Sequence, residues 1–162
     1  MFEKLTDPTQ VRLWRGNMPV SHHYTAGIAG ERFFRMLKDR GAFLATRCGE
    51  CAVTYCPARA FCERCLAELD EYFEVGPRGV LESFTVVHRD LDDRPLDEPV
   101  AVGLIRLEGA DTCFVHRLAG DRREGLRIGF RVEPVLKPQA QRSGHLDDVE
   151  YFRPLPEPDP GR

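Results

Sequence analysis

Four of the six cysteines in this 162-residue chain are spaced for metal chemistry. Cys48-Gly-Glu-Cys51 and Cys62-Glu-Arg-Cys65 are two Cys-x-x-Cys knuckles separated by ten residues. A two-residue gap lets both sulfurs of a knuckle reach one ion, and two knuckles supply the four thiolates of a tetrahedral site at about 2.3 Å each. Four protein ligands close the coordination sphere, so the metal is expected to hold the fold and leave no position for water or substrate.

The same ligand set admits other readings. Two disulfides are one, but the sequence shows no secretory segment, and the reducing cytoplasm expected for it favours metal. Iron in a rubredoxin-like site is another, since soft thiolates accept either metal. Leu66 follows the second knuckle in place of the Gly that usually opens backbone N–H groups toward an iron site's sulfurs, which favours zinc. Cys56 is wrongly spaced for a knuckle and reads as a packed side chain beside Pro57, and Cys113, in an apolar run, as an inert core thiol. His22 and His23 are surplus to a complete tetrahedron.

No catalytic group is expected. A nucleophile needs a base beside it. Cys113 and His116 are three apart, which on a strand places them on opposite faces. Ser83 and Thr85 would share a strand face that His88 does not.

The elements that must carry the knuckles can be read from periodicity. Residues 1 to 25, with Trp14, Met18, Pro19 and Tyr24, have little period and read as an arm that packs on a partner. Ala26, Ala29, Phe33 and Leu37 recur at helical spacing and predict a helix over 26–40, ended by Gly41. Phe43 to Arg47 is a short strand into the first knuckle, and Ala52 to Cys56 returns from it. Such a ribbon has too little core to stand without its metal.

Beyond Cys65, five runs rich in Val, Ile, Leu and Phe are separated by turn formers: Glu71 to Val75, Val80 to His88, Val100 to Leu107, Thr112 to Leu118 and Ile128 to Leu136. They predict a five-stranded OB-fold barrel. Arg89 to Pro99 reads as a solvated acidic loop. The tail from Arg153 carries Pro154, Pro156, Pro158 and Pro160 and cannot form helix or central strand. The fold class is therefore mainly β: N-terminal arm and helix over 1–41, zinc ribbon over 42–70, OB-fold over 71–153 and proline-rich tail over 154–162.

An apolar content of 42% excludes wholesale disorder, and no apolar run approaches the roughly 18 residues of a membrane span. The formal net charge of -3 gives no global reason to bind nucleic acid. A single-stranded nucleic-acid module wants a basic groove with stacking aromatics, whereas the phenylalanines here are expected to point inward. That module and a rubredoxin-like electron carrier stand as alternatives.

Taken in order, Cys48-x-x-Cys51, Pro57-Ala-Arg59, Cys62-x-x-Cys65, Gly79-Val-Leu-Glu-Ser-Phe-Thr-Val-Val-His-Arg89, Pro99-Val-Ala-Val, Leu126-Arg-Ile-Gly129 and Phe152-Arg-Pro154 resemble the family of rubredoxin-like zinc ribbon plus OB-fold proteins associated with acyl-CoA enzymes. The resemblance runs from about Tyr24 to Pro154. It implies a non-catalytic subunit of a hetero-oligomer whose thiolase-superfamily partner carries the catalytic residues. Tyr24-Thr-Ala-Gly-Ile-Ala-Gly-Glu-Arg-Phe-Phe-Arg35 further resembles small subunits of the benzoylsuccinyl-CoA thiolases of anaerobic toluene degradation. The family often has Gly after the second and fourth cysteines and an aromatic residue before Pro57. Ala52, Leu66 and Cys56 stand there instead, which leaves the knuckle geometry open.

If the complex acts on a coenzyme A thioester, its phosphates want arginines or a helix N-terminus. His88 and Arg89, with Arg122 and Arg123, are the candidate contacts. Arg122 and Arg123 belong to a basic stretch that includes His116, Arg117, Arg127 and Arg131, which also reads as a solvated charged edge.

Overall fold

Ala29, Phe33 and Leu37, four residues apart, are buried along one side of helix α1 (Gly27–Arg40) in the computed structural model, which describes residue 16 and residues 21–22, 24–119 and 126–155. Burying Phe33 and Leu37 contributes about 1.5–3 kcal/mol each, enough to order a helix whose first residue is glycine. Gly41 ends it at φ +69, its N–H bonding the Leu37 carbonyl at 2.9 Å. A side chain there would be strained by the left-handed backbone and would meet Leu136 Cδ1 at 2.9 Å.

Two antiparallel sheets follow. The smaller has the order β2-β1-β3, built from β1 (Phe43–Arg47), β2 (Thr54–Tyr55) and β3 (Glu71–Val75). The larger has the order β6-β5-β4-β7-β8, from β4 (Gly79–Arg89), β5 (Pro95–Leu107), β6 (Cys113–Arg117), β7 (Arg131–Leu136) and β8 (Val149–Pro154). A bulge between Leu81 and Ser83 bends β4. The two outer strands meet where Leu118 bridges Phe152 and Ala119 donates to the Phe152 carbonyl at 2.7 Å. The protein is thus mostly β, with one helix, a ribbon that carries the cysteine cluster and an OB-like sheet.

Three strand expectations need correction. Glu71–Val75 is not a barrel strand: it pairs with β1 in the ribbon sheet, Phe43 opposite Val75 and Arg47 opposite Glu71. The fifth strand of the larger sheet is Val149–Pro154, whose buried residues Val149 and Phe152 are three apart and hide the two-residue period of a strand. The acidic loop expected over Arg89 to Pro99 contracts to a hairpin turn, with Arg89 opposite Pro95. The Asp90 carboxylate accepts the N–H groups of Asp92 and Arg94 at 2.9 Å each, closing the turn in place of a longer loop.

The helix, ribbon and larger sheet share one core. Phe33 of α1, Phe43 of β1, Phe114 of β6 and Phe152 of β8 pack with ring centroids 5.8–6.4 Å apart. A second, smaller core of Cys48, Val53, Tyr55, Cys62 and Leu69 surrounds the cysteines. Among the described residues no helix is long and apolar enough to cross a membrane. The expectations for the N-terminal arm up to residue 20, for His23 and for residues 156–162 of the tail lie outside the described residues, apart from the exposed Gly16.

Candidate metal centre

Strand β1 ends at Arg47 and hands the chain to Cys48, where the first knuckle forms. Cys48 N–H bonds the Val53 carbonyl at 2.9 Å, Ala52 N–H bonds the Cys48 carbonyl at 2.8 Å, and Cys51 N–H points at Cys48 Sγ at 3.3 Å. The second knuckle repeats the pattern: Cys62 N–H to the Ala67 carbonyl at 2.9 Å and Leu66 N–H to the Cys62 carbonyl at 3.0 Å. Both turns require a left-handed residue after the second cysteine, and Ala52 (φ 56) and Leu66 (φ 62) adopt it. The departures from glycine therefore leave the knuckles intact. Leu66 takes the backbone conformation a glycine would take, so this residue does not separate zinc from iron.

The four Sγ atoms of Cys48, Cys51, Cys62 and Cys65 all lie within 4.8 Å of one another. The Cys48 and Cys65 sulfurs are 3.6 Å apart. Four thiolates at 2.3 Å around one ion would stand about 3.8 Å apart, so the spacing fits a tetrahedral centre and is far from a disulfide bond at about 2.05 Å. All six cysteines are free. The cluster is that of a zinc ribbon, four thiols poised to bind one metal ion.

Electrostatics supports the same reading. The Tyr55 hydroxyl, 3.2 Å from Cys62 Sγ, and the backbone N–H of Cys65 hold the Cys62 thiol down to about 6, against burial. Contact with Cys65, then burial, pushes the Cys51 thiol up to about 12. Thiols that resist ionising together need a cation to deprotonate them together, which a divalent metal supplies. The loop between the knuckles is fixed through Thr46, whose buried hydroxyl donates to the Arg59 carbonyl at 3.0 Å and accepts the Arg59 N–H at 2.9 Å.

Cys56 is a core residue: it is 1% exposed, and burial pushes its thiol up to about 12. Cys113 is half-buried, and burial, followed by Glu82, raises its thiol too. Phe114 and His116 share the inward face of β6, their rings stacked at 5.8 Å, while Cys113 points the other way. His116 borders an open cleft of about 610 Å³ with Val115, Arg117, Lys137, Leu146 and Glu150.

The candidate coenzyme A contacts are not gathered at one place. His88 is exposed near the end of β4. Arg89 is turned into its own hairpin, bonding the Asp93 carbonyl at 2.7 Å. Arg122 and Arg123 lie outside the described residues. Arg131 pairs with Glu108. Sequence reasoning missed Tyr55 as a member of the metal centre; an aromatic residue lodged between two knuckles was the only signal for it.

Two family models match this chain: the rubredoxin-like zinc ribbon domain of ChsH2 over residues 37–70 and the C-terminal OB-fold domain of ChsH2 over residues 72–137. A DUF35 domain-containing scaffold protein of Methanocaldococcus jannaschii is 26% identical over 128 residues, covering 76% of this chain and 89% of the relative. The crystal structure of a DUF35-family protein of unknown function from Sulfolobus solfataricus superposes with a TM-score of 0.59 at 24% identity, covering 79% of this chain and 84% of that one. A chain of the Ltp2-ChsH2(DUF35) aldolase gives a TM-score of 0.53 at 22% identity, covering 76% and 91%. With a four-cysteine ribbon and an OB-fold matched in that order over well more than half its length, the chain belongs to the ChsH2 zinc ribbon plus OB-fold (DUF35) family.

Proposed function

We propose that this chain is the non-catalytic, zinc-binding subunit of a heteromeric thiolase-type acyl-CoA enzyme. The observation that carries the reading is the closed centre: four cysteine sulfurs within 4.8 Å of one another fill a tetrahedron and leave no open position for substrate. Where a hydroxyl does meet a carboxylate, Ser143 Oγ 3.4 Å from Asp148 Oδ1, that carboxylate is already taken up by the backbone N–H groups of Ser143, Gly144 and His145. A relative described as a scaffold protein and a fold neighbour found in an aldolase complex are what one expects of such a subunit.

In this reading zinc fixes the ribbon, the ribbon and α1 share a core with the OB-fold, and the arm, helix and tail dock on the thiolase-superfamily partner. The partner supplies the chemistry and this chain helps to shape the acyl-CoA site. His88 and Arg89, with Arg122 and Arg123, are the contacts proposed for the coenzyme A phosphates. The substrate proposed is an aromatic 3-oxoacyl-CoA such as benzoylsuccinyl-CoA, on the resemblance carried by residues 24–35.

The test is to produce this chain alone and with a thiolase-like partner, and to assay thiolytic cleavage of an aromatic acyl-CoA beside metal content. Activity in the pair only, with about one zinc per chain, supports the reading. Activity of this chain alone overturns it. Visible absorption with one iron per chain would move the chain to the electron-carrier alternative.

A further inference from the structure

We propose that the Tyr55 hydroxyl belongs to the metal centre as a positioning residue, donating its proton to the Cys62 thiolate and thereby setting how tightly the metal is held. The inference rests on reading the four cysteines as a metal site.

Tyr55 is fully buried, as is Cys62, and the phenol oxygen is 3.2 Å from Cys62 Sγ. In the metal-free chain either atom could donate. A metal-bound cysteine is a thiolate with no proton, so the phenol is then the only possible donor. The sequence around Tyr55 fixes that aim. Strand β2 is two residues long and pairs Tyr55 with Thr46, which is itself anchored to the loop at Arg59. The Arg59 guanidinium lies 5.1 Å from the centroid of the Tyr55 ring. A cation over the ring face draws electron density from the phenol and strengthens its O–H as a donor.

The consequence for the metal follows from the charge it must share. Four thiolates around a divalent ion carry a formal excess of negative charge, and a hydrogen bond to one sulfur draws off part of it. Backbone N–H groups in the knuckles are one source of such bonds, as at Cys48, where the Cys51 N–H lies 3.3 Å from the sulfur. At Cys62 a side chain adds to the supply, so this ligand can be tuned by substitution without touching the knuckle. Partners that orient metal ligands typically cost about 10–100-fold in metal affinity when removed.

The experiment uses the full chain and Tyr55→Phe, which keeps the ring in its core position and deletes only the hydroxyl. Zinc affinity is measured by competition with a chelator, and cobalt(II) is titrated into both proteins to read the thiolate-to-cobalt charge-transfer band. The expected result is a loss of zinc affinity of about 10-fold or more, with the band moved to lower energy because the sulfur electrons are no longer held by the hydrogen bond. Equal affinity overturns the inference, as does a weaker affinity with an unmoved band, which assigns the loss to packing. Should Tyr55→Phe not fold, the zinc-loaded wild type decides: a tyrosine hydroxyl proton protected from solvent exchange supports the bond and its absence overturns it. Failure of the wild type to take up cobalt or zinc would instead overturn the metal-centre reading itself.

Discussion

Thr54 and Asp111, 57 residues apart, bind each other twice: the Thr54 N–H donates to the Asp111 carboxylate at 2.8 Å, and the Asp111 N–H donates to the Thr54 carbonyl at 2.9 Å. Next to them, Thr112 Oγ1 accepts the Cys56 N–H at 2.9 Å and donates to the Cys56 carbonyl at 3.0 Å. Strand β2 of the ribbon is thus fastened to the turn between β5 and β6 of the OB-fold, and a metal that orders the ribbon also braces the barrel. Asp111→Ala leaves the buried Thr54 N–H without its carboxylate. The expected cost is about 1–3 kcal/mol, read as a lower urea midpoint at unchanged zinc content. An unchanged midpoint would show that the clasp carries no stability.

The cysteine knuckles, the helix and the strand into the first knuckle were all legible in the sequence, because each depends on contacts within a few residues. Partner choice was not. Glu71–Val75 has the composition of a strand, but nothing local says that its neighbour is β1, 28 residues earlier in register at Phe73 and Ala45. Val149–Pro154 was missed because a bulge opposite Val135 and Leu136 inserts an extra residue and breaks the two-residue alternation between Val149 and Phe152. The Tyr55 to Cys62 bond was missed for a related reason: the seven-residue separation closes only when the loop between the knuckles folds back through Thr46 and Arg59.

Removing the metal should undo the ribbon and then the clasp. Cys48→Ser and Cys62→Ser each delete one of four ligands and are expected to lose stoichiometric zinc, to unfold the ribbon and to abolish assembly with the partner subunit. A chelator should do the same to the wild type, with loss of amide protection concentrated in 43–75 before the larger sheet melts. A variant that stays folded, metal-free and fully able to assemble would defeat this account.

Ala52 and Leu66 hold positive φ at the two equivalent knuckle positions, where an L side chain costs about 1–2 kcal/mol. Leu66 is 77% exposed, so little packing is lost on its removal. Ala52→Gly and Leu66→Gly are expected to stabilise the metal-loaded chain by about 0.5–1 kcal/mol each, after the extra chain entropy of glycine is subtracted. Thermal denaturation of the zinc form checks this, and a fall in melting temperature for either variant would contradict it.

Asp148 is fully buried, and among the described residues no lysine or arginine pairs with it. Burial alone would raise its carboxyl, but N–H groups of Ser143, Gly144 and His145 at 2.8, 2.7 and 3.3 Å overcome that and hold it below the ordinary range. A carboxyl depressed by folding contributes stability that is complete above its unfolded value of about 3.9 and is lost as pH falls through its folded value. Asp148→Asn keeps the shape but loses the charge and turns one acceptor into a donor. It should cost about 1.5–3 kcal/mol near neutral pH and progressively less below pH 4. A cost independent of pH would mean that the lost hydrogen-bond acceptor and not the charge organises this turn.

His116 gives the molecule a second acid-sensitive handle, closer to neutral pH. Its Nε2 lies 3.3 Å from the Leu146 carbonyl and therefore carries the proton, while Nδ1 is buried with no partner among the described residues. Burial lowers its pKa, and the nearby Arg117 side chain adds to the effect; the Leu146 and Arg117 backbone contacts and Asp147 pull the other way. A histidine whose pKa falls on folding stays neutral in the folded chain while the unfolded chain protonates. Its contribution is complete above the unfolded value of about 6.5 and is lost as pH drops through and below it. The wild type should lose stability between about pH 7.5 and about 6 at constant zinc content, and His116→Phe, set against the face of Phe114 and edge-on to Phe152, should remove that slope. If denaturation midpoints of His116→Phe fall with pH as steeply as those of the wild type, the acid sensitivity lies elsewhere in the molecule.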